Sequence, residues 1–199
     1  MQLHGFPMSP NTRRARLMLE ELGVAYEFVN VDLMTGEHRG PGYKALNPTM
    51  RVPTLVDGDL HLWESNAILV YLAEKHPEGA LMGKDAREKG EIARWMYMNA
   101  AHLSPSIARI FAHTIRLPED QRLPRLVDEG RAEVDRCLRP LDEQLAGKEW
   151  IMGRFTMADV ALAPGLAAAP MLNIDLGKTP NVAAWMKRMA ERPAWKKLG

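Results

Sequence analysis

The chain has 199 residues, 46% of them hydrophobic and 26% charged, an ordinary balance for a globular protein with enough core for one large domain or two small ones. Its 26 basic and 25 acidic residues leave a net charge of +1, without the basic excess that phosphate backbones select, so nucleic acid is not an expected partner. No run of about 18 apolar residues predicts a membrane span, the first residues lack a signal peptide's basic and apolar segments, and the single cysteine, Cys137, permits neither an internal disulfide nor a CxxC motif, so a reducing cytoplasm is the expected compartment.

Gln2-Leu3-His4 predicts a short strand. Ser9 and Pro10 then open a helix, with proline in the first turn, where its missing N–H costs nothing. Ala15, Met18, Leu19 and Leu22 recur at i, i+3, i+4 and i+7 and mark its buried face, and Gly23 closes it. Tyr26–Val31, rich in β-formers, predicts a second strand, and strand–helix–strand implies a parallel, right-handed crossover. A polar, glycine-rich segment runs from Asp32 to Asn47.

Val52-Pro53 puts a residue without a backbone N–H where an apolar strand begins. A ladder tolerates proline at an edge, a strand start or a bulge, which leaves the Val52 backbone available to something outside its own sheet. Asp57-Gly58 predicts a type I′ hairpin turn between two antiparallel strands. Glu64-Ser65 introduces a helix from about Asn66 to Lys75 with Ser65 as its N-cap, and such a helix start suits a small anion such as a carboxylate. The pattern βαβ then ββα reads as a small α/β domain over residues 1–77, after which His76-Pro77-Glu78-Gly79 begins a linker.

Residues 85–199 read as an all-helical domain. Ile92, Trp95, Met96, Asn99, Leu103, Ile107 and Ile110 form one long stripe, bent at Pro105, and Val134, Cys137, Leu138, Leu141 and Leu145 form another. Thr156 and Asp159 have the spacing of a capping box in its Asp variant. The helix behind it, Val160 to Ala169, is apolar on all sides and should lie at a bundle centre. A last helix is predicted from Pro180 to about Glu191, with Val182, Trp185, Met186 and Met189 inward.

Together these features resemble the soluble glutathione transferases over essentially the whole chain. The motifs that carry the resemblance are Gly5–Asn11, Val31-Asp32-Leu33 with Gly36-Glu37-His38-Arg39, Asn47-Pro48 through Val52-Pro53, Glu64-Ser65 and the capping box Phe155–Asp159. They look most like phi-type and related bacterial serine-type members. The resemblance implies a thioredoxin-like first domain with a cis Val52-Pro53 bond and an all-α second domain. It also implies glutathione as co-substrate, no further cofactor or metal, and a homodimer.

The chemistry this implies is small in magnitude. A free thiol ionises near about 8.5, and lowering that by about 2 units takes about 2.7 kcal/mol of preferential thiolate binding. One hydrogen bond to a charged acceptor contributes roughly 1.5–3 kcal/mol, and a helix N-terminus roughly 0.3–1 more. Ser9 matches the family's catalytic serine, with Asn11 as its rival; the expectation is that Ser9 dominates and Asn11 assists. Read locally, Ser9 is also a plain N-cap. Glu64 resembles the residue that grips the γ-glutamyl ammonium and Ser65 the one that grips its carboxylate. Val52, ahead of Pro53, is expected to offer backbone groups to the cysteinyl unit. His38 and Arg39 match positions that reach the glycine carboxylate, and alone read as a solvated loop pair.

Two positions depart from the pattern. Arg51 stands where phi-type members carry glutamine, and Thr49 where many relatives carry an aromatic that keys into the partner subunit. For the electrophile pocket, Met8 beside the thiolate and Trp95, His102, Arg109 and His113 along the long helix are candidates; taken alone, the helical four read as an amphipathic surface or interface stripe. The implied activity is attack of the glutathione thiolate on a hydrophobic electrophile. Peroxide or disulfide reduction, or non-catalytic glutathione binding as a carrier or regulatory module, are the alternatives. Serine rather than cysteine at position 9 disfavours a cysteine-type thioltransferase, and the absence of a Ser-Ser-Cys start disfavours the isomerase branch.

Overall fold

A four-stranded mixed sheet organises the first of two units, Met1–Met82 with Arg192–Gly199; the second is Gly83–Glu191. The computed structural model describes residues 1–199. In the first unit β1 (Gln2–Gly5) is followed by α1 (Pro10–Leu22) and β2 (Glu27–Asn30), and β1 pairs with β2 in parallel. A 3-10 turn at Glu37–Arg39 and a short helix α2 (Pro41–Leu46) occupy the glycine-rich segment. Then come β3 (Thr54–Asp57), β4 (Leu60–Trp63) and α3 (Ser65–Lys75), giving the sheet order β2-β1-β3-β4 with β3 antiparallel to both neighbours. This is the thioredoxin-like βαβ-ββα arrangement that the sequence predicts.

The core of this unit follows from the periodicities. Leu3 and Leu55 on the central strands are fully buried, as are Ala15, Met18 and Leu19 on α1 and Ile68, Leu69 and Leu72 on α3. α1 packs on α3. A side chain at Gly5 would collide with Thr12, so glycine is what lets the end of β1 meet the first turn of α1, where the Phe6 N–H donates to Thr12 Oγ1 at 3.3 Å. Gly23 closes α1 with φ 65°, as expected.

The hairpin turn differs from expectation. Its two central residues are Gly58 and Asp59, and of these Gly58 alone has positive φ, 64°. A type I′ turn needs positive φ at both, whereas glycine at the first central position is the type II′ requirement. Asp57 stays in the strand, where its carboxylate accepts from Tyr71 at 2.6 Å and pairs with Lys75, both on α3.

The second unit is helical throughout: α4 (Ala86–Met98), α5 (Ser104–Phe111), α6 (Pro124–Leu145), α7 (Met157–Leu166) and α8 (Pro180–Glu191). The break expected at Pro105 takes the form of a π turn over Asn99–Leu103, just before it. Proline lacks the N–H that an α turn would use there, and the wider turn accommodates the gap. All ten residues of α7 are buried, and its capping box forms as spelled, with Thr156 and Asp159 each closing on the other's backbone. Asn99 donates to the Ala161 carbonyl at 2.9 Å, tying the π turn to α7. No helix is long and apolar enough to cross a membrane.

The chain end falls outside the predicted 85–199 grouping. Arg192–Gly199, including a short helix α9 (Pro193–Lys196), belongs with the first unit. The reason is charge on α1. Arg192 holds both oxygens of Glu21 at 2.6 Å, Lys197 reaches Glu20 at 2.9 Å, and Arg13 donates to the Gly199 carbonyl at 2.8 Å.

Candidate functional site

The peptide bond Val52–Pro53 is cis. The β3 ladder begins at Thr54, so the Val52 N–H and C=O lie ahead of the sheet pairing. Buried polar side chains hold the turn. Asn47 donates to the Arg51 carbonyl at 2.7 Å and to Thr54 Oγ1 at 3.2 Å, and the Tyr43 hydroxyl donates to the same carbonyl at 2.8 Å. Burial pushes the Tyr43 phenol above its usual range, with its bonds to Thr54 and Asn47 opposing. The other end of Asn47 accepts from the N–H and hydroxyl of Thr49 at 2.9 and 2.7 Å. Thr49 is thus folded back onto its own loop.

At the start of α3 the structure revises one assignment. Glu64, not Ser65, is the N-cap, and no side chain caps this helix. Glu64 adopts φ 69° and ψ 111°, a region that side-chain-bearing residues avoid. Ser65 is the first helical residue and is buried, and its hydroxyl accepts from Arg14 at 2.9 Å. An uncapped helix start presents N–H donors and partial positive charge.

At the start of α1, Ser9 is the N-cap as predicted, its hydroxyl accepting from the Thr12 N–H at 3.5 Å. Asn11 is exposed, and its carbonyl oxygen accepts from Arg14 at 2.9 Å. Arg14 itself is 3% exposed. Burial pulls its guanidinium down to about 10, with the Glu64 carboxylate opposing. Sequence reasoning missed Arg14, although a basic residue among the apolar positions of a helix is a signal in itself.

These three pieces meet. A solvent-open depression of about 300 Å³ is lined by Asn11 from α1, by Arg51, Val52 and Pro53 from the cis turn, by Glu64 and Ser65 from the start of α3, and by Asn47 and Thr49 behind the turn. Of the predicted site residues, Ser9, His38 and Arg39 do not line it. His38 and Arg39 sit in the 3-10 turn, and His38 Nδ1 is buried without a hydrogen-bond partner. The depression thus combines an anion-seeking helix start, a carboxylate, a free strand-edge backbone, an arginine and an asparagine amide. No group of three or more His, Cys, Asp or Glu side chains converges as a metal ion would require.

Met8 is 72% exposed. Trp95 is buried in the second unit, with its indole N–H unpartnered. His102 and Arg109 instead face α6, 3.7 Å from Glu133 and 3.9 Å from Glu129, and His113 Nδ1 accepts from the Leu123 N–H at 3.3 Å.

The glutathione S-transferase N-terminal domain family matches residues 1–74, and the glutathione S-transferase C-terminal domain family matches residues 95–193. The chain belongs to the glutathione S-transferase family. It is 35% identical to glutathione S-transferase F10 of Arabidopsis thaliana, over 96% of this chain and 93% of that one. It is 30% identical to the disulfide-bond oxidoreductase YfcG of Escherichia coli, over 95% of this chain and 90% of that one. Among solved structures, a glutathione transferase from Burkholderia graminis, with two glutathione molecules bound per subunit, matches with a TM-score of 0.90 at 31% identity, over 99% of this chain and 86% of that one.

Proposed function

We propose that this glutathione S-transferase family member binds glutathione in the depression at the start of α3 and joins its thiolate to a hydrophobic electrophile. The observation that carries the reading is the convergence of Asn11, Val52, Glu64 and Ser65 on one solvent-open depression. The γ-glutamyl carboxylate meets the Ser65 hydroxyl and the uncapped α3 start, and its ammonium meets Glu64. The cysteinyl unit pairs with the Val52 backbone. Arg51 takes the glycine carboxylate, on which a guanidinium can form two parallel bonds, with His38 and Arg39 further out.

This orientation brings the thiol to Asn11. The thiol loses its proton to solvent, the amide N–H of Asn11 and the Ser9 hydroxyl hold the thiolate, and the thiolate forms the new C–S bond as the leaving group departs with its electron pair. Because Asn11 lines the depression and Ser9 does not, Asn11 carries the larger share in this reading, the reverse of the order expected from sequence. A homodimer is the proposed assembly, formed without an aromatic key at Thr49.

Disulfide reduction is the second reading, favoured by the likeness to the disulfide-bond oxidoreductase of Escherichia coli. There the thiolate attacks one sulfur of a disulfide, giving a mixed disulfide and one thiolate product. A second glutathione thiolate then releases the other product and leaves glutathione disulfide. Calorimetric titration with glutathione, followed by turnover of an activated chloroarene, an organic hydroperoxide and a small disulfide, tests both readings. Saturable binding that weakens about tenfold in Ser65→Ala, an amount set by one bond to a charged group, supports the site. No binding heat rejects it, and binding without turnover of any substrate points to a carrier.

A further inference from the structure

Arg14 lies on α1 one turn beyond Asn11, and a single nitrogen, Nη1, donates to both Asn11 Oδ1 and Ser65 Oγ, each at 2.9 Å. A guanidinium has donors and no acceptor. The Asn11 atom that meets it is therefore the carbonyl oxygen, which directs the amide NH2 away from Arg14. In the same way Ser65 Oγ accepts a hydrogen bond from Arg14 and keeps its own O–H for another acceptor. Asn11 and Ser65 both line the depression.

We propose that Arg14 is a positioning residue that sets the donor direction of both side chains, turning the Asn11 N–H toward the thiolate and leaving the Ser65 O–H for the γ-glutamyl carboxylate. The proposal rests on the glutathione reading of the depression. An asparagine beside a neutral partner that both donates and accepts has two amide orientations, and one of them aims its carbonyl oxygen at the sulfur. A buried donor-only cation removes that orientation. Glu64 is the charged group that faces Arg14, and the guanidinium keeps its proton at neutral pH despite burial. Burying a cation is costly, so a role beyond packing is a reasonable return for it.

The test titrates the thiol of bound glutathione by thiolate absorbance. Arg14→Gln keeps much of the side-chain volume but can both donate and accept. It is expected to raise the bound thiol by about 1 unit or more, the size of one bond to a charged acceptor. It is also expected to weaken S-methylglutathione, which has the carboxylate and no thiol, by about fivefold or more. Arg14→Lys, again donor-only, should return the thiol toward the wild-type value. In an Asn11→Ala background the Arg14→Gln shift should vanish; a shift that persists there undiminished means the charge alone acts and overturns the proposal. So does an unchanged thiol in an Arg14→Gln protein that still binds glutathione. Should Arg14→Gln not fold, neutron diffraction of the wild-type glutathione complex decides, with Asn11 deuterons toward the sulfur supporting the proposal and its oxygen toward the sulfur overturning it. A wild type that binds no glutathione overturns the ligand reading itself, which the titration in the unaltered protein separates from failure of the positioning role.

Discussion

The indole N–H of Trp185 on α8 donates to the carboxylate of Asp159 on α7 at 2.9 Å, with both side chains fully buried. The same carboxylate accepts from the Ile151 N–H at 3.1 Å and the Thr156 N–H at 2.9 Å. The capping residue that starts the central helix therefore also anchors α8 and the loop before α7. Burial pushes the Asp159 carboxyl up to about 6, with these three bonds opposing. Between 3.8, its ordinary value, and about 6 the folded protein holds one proton more than the unfolded chain. The contribution of this site to stability accordingly falls as pH rises through that window, by roughly 3 kcal/mol. Urea unfolding of wild type and Asp159→Asn across pH 4 to 7 should show the wild-type advantage shrinking by about 2 kcal/mol as pH rises. An advantage that grows with pH would contradict the assignment.

Glu64 combines a strained backbone, φ 69° and ψ 111°, with a carboxylate at the depression. Glu64→Gly removes the steric cost of that conformation, about 1–3 kcal/mol, while adding unfolded-state freedom worth roughly 0.5–1 kcal/mol. The variant should unfold at the same or a higher temperature than wild type and bind glutathione about tenfold more weakly, losing one charged hydrogen bond. Melting curves and calorimetry check the two halves separately. A variant with lower stability and unchanged affinity would place Glu64 outside the site.

Asn47 is the hub of the cis turn, with two donated and two accepted bonds. Asn47→Ala leaves Thr49 unpaired and removes one of the two donors to the Arg51 carbonyl. Thermal denaturation should show a loss of about 2–3 kcal/mol. The KM for glutathione should rise with a smaller change in kcat, because the residue shapes the turn without reaching the sulfur.

The two bonds from Arg192 to Glu21 clamp the chain end onto α1. The pair is partly exposed, with 26% and 10% of the two side chains accessible. Arg192→Ala should therefore cost about 1–2 kcal/mol rather than the 3–5 kcal/mol or so of a fully buried pair. Hydrogen exchange in Arg192–Gly199 should accelerate before the sheet core opens. Unchanged protection there would mean that Lys197 and Arg13 suffice to hold the segment.

Features written in local spacing were legible in the sequence. The Ser9 cap, the α1 and α6 stripes, the capping box of α7, the limits of α8 and the strand-start proline all follow from residues within one or two turns of each other. Features set by distant partners were not. Arg14 acquires its role only from Ser65, which accepts its hydrogen bond from 51 positions later in the chain. The final eight residues read as a continuation of the helical half because their attraction to Glu20 and Glu21 spans the whole chain. Ser65 reads as an N-cap because serine usually is one, whereas here its hydroxyl is engaged by Arg14 and the cap falls to Glu64. The order of Ser9 and Asn11 depends on which side chain faces the depression, which their two-residue spacing does not encode.

The central claim is that glutathione lies in this depression with its thiolate on Asn11. Titrating the thiol of bound glutathione by ultraviolet absorbance in wild type, Asn11→Ala and Ser9→Ala tests it most directly. The account predicts ionisation in wild type about 2 units below the free thiol's value of about 8.5, a rise of about 1 unit or more in Asn11→Ala, and a smaller rise in Ser9→Ala together with about 1 kcal/mol of lost helix capping. A bound thiol that ionises like the free one in wild type, or an Asn11→Ala profile that overlays it, would contradict the account.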